Sequence, residues 1–165
     1  MLGKKSRWIA PLAATAAVLL AASPASAFHT DPDITIPASE SCGDFDLGLA
    51  ADGGNIRVIE LSNGNVYQVG TGVILTWSNE ENGKTYTVKT SGSVARYVLN
   101  PDGETYTLTL SGHNGFVYFS TDATGPGAYQ YTGRVMLQVD SPSTNNVSSV
   151  DATAGRAVDI CARLR

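Results

Sequence analysis

The chain is poor in the residues on which most protein chemistry depends. It holds two cysteines and two histidines in 165 residues. No Cys-x-x-Cys pair occurs, which excludes the usual dithiol redox motif. No Gly-x-Ser-x-Gly elbow occurs either, which removes the commonest sequence signal for a serine hydrolase. One cysteine pair is too few ligands for a structural zinc site, and the two histidines are His29 and His113. No segment after Ala22 is long and apolar enough to cross a membrane as a helix. Basic residues are few, and after Arg7 none of them forms a run. A sustained helical period is also missing after Ala27.

What is present begins with Met1-Leu2-Gly3-Lys4-Lys5-Ser6-Arg7, an apolar run from Trp8 to Ala22, and then Ser23-Pro24-Ala25-Ser26-Ala27. A basic start, an apolar stretch and a small-x-small end make the pattern of a cleaved secretory signal, with the cut expected between Ala27 and Phe28. The run is shorter than the ~20 residues of a spanning helix, and Pro11 and Thr15 interrupt it. No cysteine stands near the cut to take a lipid, and the basic start has no Arg-Arg pair. The expected location is therefore extracellular. Three of the 11 basic residues leave with the signal, so 8 face all 15 acidic ones and the net charge becomes −7. That balance argues against binding a phosphate backbone, so nucleic acid is not an expected partner.

From Cys42 onward apolar and polar residues alternate. Tyr86 and Val88 share one face against Thr85, Thr87 and Lys89. Tyr106, Leu108 and Leu110 share another against Thr105, Thr107 and Thr109. Tyr131, Val135, Leu137 and Val139 alternate with Thr132, Arg134, Met136 and Gln138. Period two with β-branched and aromatic residues predicts half-buried strands. Asn63-Gly64 and Asn82-Gly83 predict hairpins in which both central residues take positive φ. Asn100-Pro101-Asp102-Gly103 predicts a further turn. Gly70 and Gly72 predict a bulge, or a bend where the chain changes sheets. The spacing points to a sandwich or a barrel, and the favoured sum is an all-β antiparallel sandwich of nine or ten strands over residues 42–165, the first at Asp44–Ala50 and the last at Arg156–Leu164. Residues 28–41 read as a loose leader and 140–155 as one long surface loop. Cys42 and Cys161, near the two ends, are expected to pair outside the cell and clamp the terminal strands.

The candidates for chemistry are few. His113 lies in Ser111-Gly112-His113-Asn114-Gly115, which reads as a polar hairpin turn rather than a catalytic dyad. Asp44, Asp46, Glu60 and Asp140 supply carboxylates for a glycosidase pair, as any acidic β protein does. Asp44 and Asp46 with Asp52-Gly53-Gly54 lack the spacing of an EF-hand. Tyr118 and Tyr129, beside Gly125-Pro126-Gly127, are the aromatic candidates for a sugar platform, whereas Trp77 alternates with Val73 and Leu75 and reads as core. Asn146-Val147-Ser148 matches a glycosylation sequon, a pattern that recurs by chance.

One ordered series runs through the chain: Cys42-Gly43, Thr76-Trp77-Ser78-Asn79, Asn82-Gly83-Lys84-Thr85-Tyr86-Thr87-Val88, Ser91-Gly92, Asp102-Gly103, Gly112 and Asp159-Ile160-Cys161-Ala162. The series resembles small secreted actinobacterial proteins with a signal peptide, one terminal cysteine pair and a β-sandwich-like domain. The resemblance implies compartment, fold and the Cys42–Cys161 bond, and it brings no catalytic residue. Trp77 departs from it, standing where a smaller aliphatic residue or threonine is expected. The functional expectation is a non-enzymatic extracellular interaction or envelope-associated module, with an extracellular protein or glycan as partner. No cofactor, metal, nucleic acid or, after cleavage, membrane is expected. The alternatives are a carbohydrate-binding module and, behind it, a secreted hydrolase.

Overall fold

The computed structural model describes residues 33–90 and 92–165. The expected signal segment and its cut, with residues 28–32, lie outside the described residues. Ten strands follow in chain order: β1 (Ile34–Ile36), β2 (Leu47–Asp52), β3 (Asn55–Glu60), β4 (Val66–Thr71), β5 (Ile74–Asn79), β6 (Thr85–Lys89), β7 (Ser93–Leu99), β8 (Tyr106–Tyr118), β9 (Gly127–Val139) and β10 (Val147–Asp159). A short helix, α1 (Ile160–Leu164), closes the chain. Strands β1-β2-β5-β6 form a four-stranded sheet and β10-β9-β8-β7-β4-β3 a six-stranded one. All pairings are antiparallel, which is the expected all-β two-sheet class. The chain passes from the larger sheet to the smaller between β4 and β5, at Gly72 (φ +72°).

Several local expectations need correction. The two Asn-Gly hairpins place only their glycines at positive φ, because the only described non-glycine residue there is Asn145 (φ 55°). At Leu61–Asn65 the Gly64 N–H donates to Leu61 O and the Leu61 N–H to Asn65 O, a three-residue loop ending in a left-handed glycine. Residues 34–36, expected in the loose leader, pair with β2, and Ala38–Glu40 forms one 3-10 turn. The loop expected over 140–155 shrinks to 140–146, since β10 starts at Val147. Ser111–Gly115 is not a hairpin turn; it lies in the middle of β8. The last strand ends at Asp159, whose carboxylate accepts from Ala162 N–H at 2.9 Å and starts α1. Cys161 therefore sits on a helix too short to show a period.

Cys42 and Cys161 are bonded, with Cα atoms 5.2 Å apart and a separation of 119 positions in sequence. The bond fastens the segment before β2 to α1. Around it lie Phe45, Leu47, Trp77, Ala128, Ile160 and Leu164, all fully or almost fully buried. A second cluster holds Tyr97, Leu108, Leu110, Tyr118, Tyr131, Val135, Leu137 and Val139.

The two clusters lie on opposite faces of the same three strands. Even-numbered residues of β8 and odd-numbered residues of β9 share one face, by the register Leu108↔Leu137, Leu110↔Val135 and Phe116↔Tyr129. A straight strand of 13 residues would run about 43 Å. Yet Tyr106 and Tyr118, at its two ends, border one cluster. The strands curl, and the curl coincides with a row of glycines, Gly112↔Gly133↔Gly155, at φ 88°, 127° and 114°. Beyond that row the reverse face, with Val117, Ala128, Gln130 and Val158, packs on the four-stranded sheet.

Candidate functional site

Among the described residues a cleft of about 580 Å³ opens where the two sheets part. Its floor is Leu49 of β2, Leu75 and Trp77 of β5, and Gly115 and Val117 of β8. These side chains converge because β2, β5 and β8 each turn alternate residues inward at matched register, with Leu49 opposite Trp77. Trp77 is 1% exposed, and its indole N–H donates to Gln130 Oε1 at 3.4 Å. Gly115 makes room for the ring, since a Cβ there would stand 2.6 Å from Trp77 Cζ2.

Among the described residues, two unpaired strand edges flank the cleft. On one side β1 pairs with β2 alone, and Ile34, Thr35 and Ile36 form the wall. On the other side β7 begins at Ser93, opposite Gly112, so among the described residues the far half of β8 keeps β9 on one edge and has no strand on the other. The His113 N–H still donates to Gly92 O at 3.1 Å. Every second residue of a strand points the same way, so the Gly115 and Val117 amides face the open side without a strand partner. Glu40 stands at the rim. It accepts from Ser120 Oγ at 2.7 and 2.9 Å and from Ser120 N–H at 3.1 Å, which holds its carboxyl below the usual range. The rim thus carries a negative charge beside exposed Ile34 and Phe119.

The residues singled out in the sequence are dispersed. Tyr118 is 2% exposed, and its hydroxyl meets that of Tyr131 at 3.0 Å. Burial pushes both phenols above their ordinary pKa. Tyr129 stacks on Tyr131 with centroids 5.9 Å apart. Tyr118 and Tyr131 are core and Tyr129 is half-buried against them, so of the two platform candidates Tyr118 offers no surface to a sugar. Asp44 is engaged by Arg165 at 2.7 Å, which lowers its pKa, and Asp46 accepts from Ala38 N–H at 2.8 Å. Asp52 stands at the far end of β2 from both, about 20 Å along an extended strand from Asp46, so these three do not form a calcium loop. Asp140 accepts from the amides of Ser141 and Asn146 and from Thr144 Oγ1, closing its own turn. Glu60 ends the edge strand β3. His113 lies in β8 opposite Thr132. Among the described residues no group of three His, Cys, Asp or Glu side chains is placed to hold a metal, and no helix is long and apolar enough to cross a membrane.

Sequence reasoning missed Gly115, whose role depends on a ring 38 positions away. It also missed Asp122, which is 5% exposed and accepts from the Phe119 and Val147 amides at 2.7 and 2.6 Å. A single acid in a Ser-Thr-Asp-Ala run carries no local signal of such a role. The fold and cleft define a disulfide-clamped, two-sheet antiparallel β protein with an apolar groove between free strand edges. No protein-family profile matches the chain, and neither a curated protein nor a solved structure matches it.

Proposed function

We propose that the protein is an exported, non-enzymatic interaction module that takes an extended segment of a partner protein into the Trp77 cleft. The observation that supports this most is the pairing of an apolar floor with two unsatisfied strand edges. An added strand gains main-chain hydrogen bonds along an open edge, and alternate side chains enter the pocket, so affinity and selectivity have separate sources. The preferred segment alternates large apolar with polar residues and carries a basic residue toward Glu40. A paired cysteine bond and the amino-terminal pattern support the exported setting. The carbohydrate reading loses support with the burial of Tyr118.

Selection of random peptides on the immobilised protein tests the reading. Trp77 is the only tryptophan after residue 27, so its emission reports on the cleft directly. Enriched peptides should share the alternating pattern, shift that emission and lose binding to an Ile34→Lys/Phe119→Ser variant. Both positions are exposed, so the fold should survive. Peptides that bind the variant equally well, or no enrichment at all, would refute a peptide groove.

A further inference from the structure

The chain is acidic as a whole, yet the outer face of the six-stranded sheet is not. Arg57, Arg96, Arg134 and Arg156, four of the eight basic residues after position 27, all point from it. The register places them there. Arg57 on β3 lies in one row with Val69, Val94, Ser111 and Arg134, while Arg96 lies one row along, opposite Tyr67 and Thr109. Arg156 faces Thr132 in the row beyond Arg134. All four side chains are exposed, and none forms an ion pair among the described residues. The guanidinium of Arg96 lies over the Tyr67 ring, 5.7 Å from its centroid. The strand registers assign no acid to this face; Asp151 stands at one corner, where it accepts from Gln138 Nε2. With strands about 4.8 Å apart, Arg57, Arg96 and Arg134 follow one another at about 12 Å in a zigzag some 19 Å across, and Arg156 stands just past the glycine row.

We propose that this face binds a linear anionic polysaccharide, bearing carboxylate or sulfate groups, lengthwise across the strands. Four unpaired guanidinium groups on one face of an acidic protein are complementary to such a chain in charge, and fork-shaped donors suit both acid groups. Between them Tyr67, Val94 and the hydroxyl side chains give the sugar rings apolar and hydrogen-bonding contact. A nucleic acid duplex fits less well, because it presents one charge per ~1.7 Å, far denser than the spacing of these arginines. This surface is separate from the cleft and does not depend on its function.

The test measures affinity for alginate and heparin at several salt concentrations, with neutral dextran and a DNA duplex as further probes. The wild-type protein should bind both anionic polysaccharides and not dextran. Arg96→Gln/Arg134→Gln should weaken that binding on the order of tenfold and flatten its salt dependence. Lys84→Gln/Lys89→Gln, just before β6 and at its end, makes the same change in charge away from this face and should shift binding less than about twofold. The proposal fails if neither polysaccharide binds, if the lysine variant loses as much as the arginine variant, or if the duplex binds as tightly as the polysaccharides.

Discussion

At Gly115 the missing side chain is what allows the two sheets to meet. An added Cβ would come within 2.6 Å of Trp77 and 3.2 Å of Leu75, both in the opposite sheet. No special backbone angle is involved, so a substitution there tests packing alone. Gly115→Val should cost about 1–3 kcal/mol of stability, the usual range for overpacking a core. Urea denaturation followed by Trp77 emission would show it, and an unchanged midpoint would mean that the indole is not seated on this glycine. Trp77 was legible as a core residue because it alternates with Leu75. Its partner was not, since glycine reads locally as a turn former and Gly115 stands near three other turn-prone residues.

The long strands β8, β9 and β10 owe their curl to the aligned glycines. Gly133, at φ 127°, would drive a Cβ into the Ala154 carbonyl and to 3.0 Å from Gly155 Cα. Gly133→Ala should therefore cost about 2–4 kcal/mol, combining backbone strain with the clash. Gly103→Ala provides the control: its φ is 75° but nothing lies within 4 Å, so only the left-handed cost of about 1–2 kcal/mol remains. Equal losses in thermal or chemical denaturation would show that the row is not a packing device. Most strands were visible as alternation, and the ten found include the upper of the two expected counts. The curl was not visible, because Gly112, Gly133 and Gly155 are about 20 residues apart in sequence and become neighbours only through register.

Over the whole molecule, the Cys42–Cys161 bond closes a loop of 119 residues. The chain-entropy model gives such a loop roughly 4–5 kcal/mol. Reduction, or a paired Cys→Ser change, should lower the denaturation midpoint accordingly and release α1 first, because Ile160 and Leu164 pack around the bond. A midpoint unaffected by reductant would assign the stability to the sheets alone. The pairing itself could be read from an even count and the expected compartment, but the helix carrying Cys161 could not. Five residues are too few for a period, and their burial against β9 overrides local preference.

By itself the sequence determined the strand periodicity, the turns at Asn63-Gly64, Asn82-Gly83 and Pro101-Asp102-Gly103, and the two sulfurs available to join the ends. These are local properties, set by which side chains suit a pleated, half-buried ribbon and which backbones can reverse. Tertiary structure alone decided that Tyr118 would be core, that β1 and β8 would leave edges beside an apolar cleft, and that arginines scattered from position 57 to 156 would share one face. Each of these depends on register between strands distant in the chain. Register comes from burying complementary faces together, and no window of neighbouring residues contains it.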